Sequence, residues 1–189
     1  EFYSLKQIMF IADKAGLKVL NVELNDINGG SFSITTAKKA SSYKINERLI
    51  LNMLKKEKAM GLDDIEVFTS FFDRVEAQKT KLLTFLEEAK KVGKITYGLG
   101  ASTKGNVLLQ HYGINEDLLP AIGDVNKDKF GKFTPGTSIP IISESEVLKR
   151  KPDYLLVLPW HYRNFFLSNP KMKGFTLVFP LPELTIIEL

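Results

Sequence analysis

The feature that most constrains the fold is a five-residue run, Tyr154-Leu155-Leu156-Val157-Leu158, set between Pro152-Asp153 and Pro159. A strand with one wet face alternates apolar and polar residues, so an uninterrupted apolar strand has to be covered on both faces. Phe175-Thr176-Leu177-Val178-Phe179 repeats the pattern. Strands of this kind belong to parallel sheets sandwiched by crossover helices. The chain from Lys94 onward supplies the alternation such a sheet needs. Ile95-Thr96-Tyr97 leads into a glycine-rich loop and a helix through Val107, Leu108 and Leu109, stopped by Gly113. Ala121-Ile122-Gly123-Asp124-Val125 reads as a second strand, and Ser143 as the cap of a short helix through Val147 and Leu148. Leu184 to Ile187 reads as an edge strand behind Pro180 and Pro182. Residues 94–189 are therefore expected to form an α/β, Rossmann-like, mostly parallel sheet with flanking helices.

The preceding residues follow other periods. Ser4 and Gln7 form a capping box, Leu5, Ile8, Met9 and Ala12 form the buried stripe of the helix it opens, and Gly16 closes that helix. Leu17 to Leu24 and Ser31 to Lys38 read as two strands around Asn28-Gly29, a pair that tolerates positive φ and so predicts a hairpin. Leu20, Val22 and Leu24 are expected on one face. Residues 1–42 thus make a helix-plus-hairpin segment too small to form a domain alone. Residues 43–93 read as a helical connector. Its first helix runs from about Asn46 to Ala59, with Leu49, Ile50, Met53 and Leu54 inward. Its second runs from Asp63 or Asp64 to Gly93, with Ile65, Phe68, Phe72, Val75, Lys79, Leu82, Leu86 and Ala89 on one stripe. At 1.5 Å per residue that helix is on the order of 40 Å long, a spine expected to pack and to carry no chemistry.

Composition removes several classes of function. The chain has no cysteine and two widely spaced histidines, so neither a disulfide framework nor a zinc site is expected. No apolar run approaches the roughly 20 residues that span a bilayer, and the first residues lack a signal peptide's pattern, so a soluble, cytoplasmic protein is expected. Net charge is +4, but the lysines are scattered among acids rather than gathered in a stripe, which argues against nucleic acid as a partner. The start without methionine, two residues before a helix cap, suggests a piece of something longer.

In parallel sheets of this kind ligands sit beyond the carboxyl ends of the strands. Three loops there carry chemistry. The first holds Gly98, Gly100, Ala101, Ser102, Thr103, Lys104 and Gly105. Glycines let backbone approach a phosphate, the helix start offers N–H groups, Ser102 and Thr103 can cap or donate, and Lys104 adds charge. The dinucleotide fingerprint is incomplete, since Thr103 stands where the third glycine belongs. A plain strand-to-helix turn without a ligand is the competing reading. Asp124, about twenty residues further on, is placed either to accept from ribose hydroxyls or to cap Asn126-Lys127-Asp128. The second loop brings Lys132 and the turn Pro135-Gly136. In the third, Trp160 and Tyr162 can stack on a base or sugar while His161 and Arg163 can meet phosphate. His161 is also a candidate catalytic group, weighed against a structural histidine. His111, within a helix, has less to support it.

These loops resemble a known family. Tyr97-Gly98 through Asn106, Asp124, Lys129-Phe130-Gly131-Lys132-Phe133-Thr134-Pro135-Gly136-Thr137, Ile139-Pro140-Ile141, Pro152-Asp153-Tyr154 and Leu158-Pro159-Trp160-His161 look like the C-terminal domain of bacterial sugar C-methyltransferases. The resemblance implies that residues 1–42 are the tail of an S-adenosylmethionine-dependent methyltransferase module, whose remainder would be the partner of this chain. It implies a nucleoside-diphosphate keto sugar as substrate and a loop-bound diphosphate. It also implies that S-adenosylmethionine and a structural zinc are held elsewhere in the full-length enzyme, with no cofactor bound by this fragment. Asn28 stands where the family often has histidine, and Asn164-Phe165 where acidic residues often follow the histidine. The readings that compete are a stand-alone nucleotide-binding or regulatory module, a dinucleotide-dependent oxidoreductase, and an interaction module docking through the long helix.

Overall fold

The computed structural model describes residues 2–189. The chain divides into two compact units, Glu1–Asp73 and Arg74–Leu189. The division falls inside a long helix, within the stretch read from sequence as a connector.

The first unit contains α1 (Leu5–Lys14), β1 (Leu17–Asn25), β2 (Ser31–Lys38) and α2 (Glu47–Ala59), followed by the start of α3 (Ile65–Lys91). Ser4 caps α1 reciprocally with Gln7, as the capping box requires. The carboxylate of Glu57, on α2, is buried and accepts from the Leu5 and Lys6 backbone N–H groups. A buried carboxylate at a helix start is stabilised by those donors and by the helix dipole, together on the order of 1–3 kcal/mol. It fixes α2 against the first turn of α1.

β1 and β2 form the expected antiparallel pair, with Asn28 and Gly29 at positive φ in the turn. The side-chain alternation differs from expectation. The register slips between Val19 and Asn21, leaving Leu20 as a bulge residue. One extra residue brings Val19 and Val22, three apart, onto one face, and both reach the core with Leu5, Ala12 and Ile50; Leu24, further along the strand, is exposed. The stripe on α3 also divides. Leu82, Leu86 and Ala89 are buried, but Ile65, Phe68 and Phe72 are each more than half exposed.

The second unit continues with β3 (Thr96–Leu99), α4 (Thr103–Tyr112), β4 (Ile122–Asp124), β5 (Ile141–Ser143), α5 (Glu144–Lys149), β6 (Tyr154–Val157), α6 (Arg163–Ser168), β7 (Thr176–Phe179) and β8 (Thr185–Glu188). The strands lie in the order β5-β4-β3-β6-β7-β8, all parallel except β8, which closes the edge antiparallel to β7. β6 explains its own sequence. Leu155 and Val157 enter the core on one face with Leu99, Leu177 and Phe179, while Leu156 and Leu158 enter the other with Leu86, Leu108 and Ile122. Alternate residues of one strand therefore serve two cores, and none is left polar.

Several glycines here are sites of close packing. A Cβ on Gly98 would lie 2.7 Å from Ile122 Cγ1, and one on Gly105 would lie 2.7 Å from Leu158 Cβ. Alanine inside a helix normally stabilises by about 1 kcal/mol over glycine. At Gly105 the overlap is with a fixed core residue, and overpacking of that kind costs about 1–3 kcal/mol. Gly105→Ala is therefore expected to lower the urea midpoint of unfolding, where an exposed helical glycine would raise it.

Candidate functional site

Strand order reverses between β3 and β6, which pair in parallel from Thr96↔Tyr154 to Leu99↔Val157. The crossovers leaving these two strands run in opposite directions, so their carboxyl ends open a crevice. Its walls are the loop after Leu99 and the loop after Val157. They touch: Gly100 has φ +80°, and a Cβ there would lie 2.8 Å from Pro159 Cδ. Only glycine allows both that conformation and that contact. Gly100 N–H donates to the Gly123 carbonyl at 2.7 Å, tying the turn to β4.

The turn then enters α4. Ser102 is its N-cap, with Oγ accepting from Gly105 N–H at 3.0 Å. Thr103 is exposed and Lys104 half-buried in the first helical turn. A helix start at a switch-point crevice carries partial positive charge and suits an anion.

Asp124 closes β4 and is buried. Its Oδ2 accepts from Ala101 N–H at 2.8 Å and its Oδ1 from Asn126 N–H at 2.8 Å. Of the two roles weighed from sequence, the local cap is therefore the one whose hydrogen bonds are present. Lys129, not singled out by sequence reasoning, donates from Nζ to Asp124 Oδ2 at 3.0 Å and to the Ala101 carbonyl at 2.9 Å. Both sides of the Ala101 residue are held by one ion pair. The five-residue spacing from Asp124 to Lys129 was the available signal.

Trp160, His161 and Tyr162 form a single 3-10 turn directly after β6. Trp160 packs against the cores on both faces of the sheet, which anchors the turn. The His161 ring lies 4.3 Å from the Tyr162 ring and 6.1 Å from that of Trp160. Its Nδ1 is buried without a hydrogen-bond partner. Burial, and next the nearby Lys104 ammonium, push the His161 pKa below its ordinary value. The ring is therefore neutral at pH 7, an acceptor and donor rather than a cation.

Three other groups expected at the mouth are tied to neighbouring segments. Arg163 places its guanidinium 4.9 Å over the Phe179 ring, with Nη1 3.5 Å from Thr185 Oγ1, so it braces the ends of β7 and β8. Gly136 lies against Gln110, in the last turn of α4 and thus at the far end of that helix from Ser102, and Pro135 adjoins it. Lys132 runs beside the outer strand, its carbonyl accepting from Ile141 N–H at 2.8 Å. The chain doubles back along β5 after leaving β4, and this carries the Pro135-Gly136 turn away from the crevice.

A cleft of about 390 Å³ lies in the first unit, lined by Leu17, Val19, Ile50, Leu51 and Leu54. Its wall is mostly apolar; of the polar groups at its rim, Lys39 pairs with Asp13, Lys18 Nζ donates to the Ser41 carbonyl at 2.6 Å, and Glu47 also lines it. It offers a ligand few convergent polar groups, so the switch-point crevice is the stronger candidate. Among the described residues no three His, Cys, Asp or Glu side chains gather as a metal site, and no helix is long and apolar enough to cross a membrane.

The chain is 29% identical over 189 aligned residues to the C-methyltransferase NovU of Streptomyces niveus, an alignment that covers 98% of this chain and 45% of that protein. The chain thus spans less than half the length of this relative. A family model described as the C-methyltransferase C-terminal domain matches residues 26–182, which include β3, α4 and the turn after β6. The chain belongs to the C-methyltransferase C-terminal domain family.

Proposed function

We propose that this chain holds a keto sugar linked to a nucleoside diphosphate while a methyl group is transferred to one of its carbons. The observation that carries the reading is the crevice between β3 and β6, where the start of α4, with Lys104 in its first turn, faces the aromatic turn Trp160–Tyr162. A diphosphate suits the first wall through Ser102, Thr103 and Lys104. A base or sugar ring suits the second by stacking. Asp124 serves as a positioning group that holds Ala101 in place.

The methyl donor does not suit the same crevice. S-adenosylmethionine carries a sulfonium that would meet Lys104 and Lys129, and the carboxylate that would receive its ribose hydroxyls is engaged by Ala101, Asn126 and Lys129. The donor belongs to the part of the enzyme that corresponds to the remainder of the longer relative. Methyl transfer would require a base to take the proton next to the ketone, the resulting enolate carbon bonding to the methyl group as its bond to the donor sulfur breaks and S-adenosylhomocysteine leaves. What this chain supplies is position: fixing the sugar carbon against donor and base removes entropy from the barrier. His161, neutral and packed between aromatic rings, orients the sugar rather than its phosphates.

Two outcomes follow. Hydrogen bonds to charged groups contribute about 1.5–3 kcal/mol, roughly tenfold to a hundredfold in affinity. In calorimetric titration with a thymidine-diphosphate sugar, Lys104→Glu is expected to lose at least about tenfold. Unchanged affinity would remove the phosphate wall from the reading. The second concerns pH. Because the folded protein depresses the His161 pKa, the unfolded chain takes up a proton first on acidification. The associated stability is full above the ordinary value of about 6.5 and is lost as pH falls through the lower folded value. Thermal melts between about pH 8 and pH 5 are expected to show this loss in the wild type and a smaller one in His161→Asn.

A further inference from the structure

We infer that Lys129 is a phosphate-contacting residue of the crevice, and that its ion pair with Asp124 makes the end of β4 select an anion where a dinucleotide fold selects a ribose diol. The inference deepens the nucleotide-sugar reading and rests on it for the identity of the ligand, though not for the anion chemistry.

In dinucleotide-binding sheets a carboxylate near the end of the second strand accepts from ribose hydroxyls. That role needs lone pairs a ligand can reach. The Asp124 side chain is 7% exposed, and its oxygens already receive Ala101 N–H, Asn126 N–H and Lys129 Nζ. Displacing them would leave a buried charge unpaired. What the end of β4 offers to solvent instead is the lysine, whose side chain is 38% exposed. An ammonium has three N–H donors. Two are directed at Asp124 Oδ2 and the Ala101 carbonyl, and the third remains for a ligand on the exposed side.

The Ala101 contact has its own consequence. A carbonyl oxygen in a phosphate-binding turn repels the anion. Here the Lys129 ammonium covers that oxygen, so the turn presents cationic and N–H character. The Ala101 carbonyl that Lys129 covers and Lys104 in the first turn of α4 lie on either side of Ser102 in sequence, the residue that caps α4. Asp124 holds the ammonium in one place and lowers the entropy lost when a phosphate arrives. Lys132, which the sequence pointed to along with Lys104, has its backbone paired with the start of β5, two strands away from β3.

The test is calorimetric titration of the chain with thymidine diphosphate, unphosphorylated thymidine, inorganic pyrophosphate and NAD, using wild type, Lys129→Gln and Lys129→Arg. Lys129→Gln is expected to weaken thymidine diphosphate and pyrophosphate by about tenfold or more, leave thymidine unchanged, and lose its deficit at high salt. Lys129→Arg is expected to restore most of the affinity, which a purely structural lysine would not require. In the unaltered protein, the Lys129 side-chain resonances are expected to move on saturation with pyrophosphate, a readout independent of whether the variants fold. Thymidine diphosphate binding by Lys129→Gln within about twofold of wild type, or resonances that stay still, would overturn the inference and leave the nucleotide-sugar reading standing. Lys129-dependent pyrophosphate binding without binding of any thymidine-diphosphate compound would support the inference and remove that reading. Tight NAD binding, or no binding of either phosphate probe by wild type, would overturn both.

Discussion

A crevice at the edge of a parallel sheet exists because two neighbouring strands send their chains away in opposite directions. In this chain those strands are β3 and β6, and everything proposed for the site depends on their adjacency. The adjacency is enforced from within. β6 must be covered on both faces because every residue from Leu155 to Leu158 is buried, which places it in the middle of the sheet. β3 can approach β4 as closely as it does because Gly98 leaves room for the Ile122 side chain. The apolar run that fixes the fold thus also fixes where a ligand can enter.

The second requirement is that the turn after β3 hold one shape. Gly100 supplies the positive φ and the clearance for Pro159, Gly123 receives its N–H, and Asp124 with Lys129 grips Ala101 from both sides. These contacts come from three segments that are distant in sequence. Asp124 is buried to do this, which separates it from the ribose-binding carboxylate of dinucleotide folds despite its similar place in the chain. A shared architecture therefore coexists with a different charge at the mouth of the crevice.

What the sequence made legible was local or periodic. Ser4, Ser102 and Ser143 cap their helices as short-range rules require, and two apolar strands predicted a parallel sheet. What it hid depended on contacts between distant segments. The Leu20 bulge arises from pairing across the hairpin and has no signature within β1. β5 is three residues long and begins just after Pro140, so it does not stand out from a loop until β4 pairs with it. Arg163 adjoins the aromatic turn in sequence, yet the start of α6 carries it over Phe179. Pro135 and Gly136 share a motif with Lys129, but the chain's return along β5 separates them. The family resemblance was carried by the order and spacing of such motifs, and therefore did not depend on the placement of any single residue.

The central claim is that a nucleoside diphosphate occupies the crevice between β3 and β6. Titration of thymidine diphosphate into the isotopically labelled chain, followed by backbone amide NMR, tests it most directly. The account predicts shift changes concentrated at Ala101, Ser102, Thr103, Lys129, Trp160 and His161, with Gly136 and the apolar cleft around Ile50 unaffected. Changes centred on Gly136 or on the Ile50 cleft, with the amides from Ala101 to Thr103 still, would contradict it.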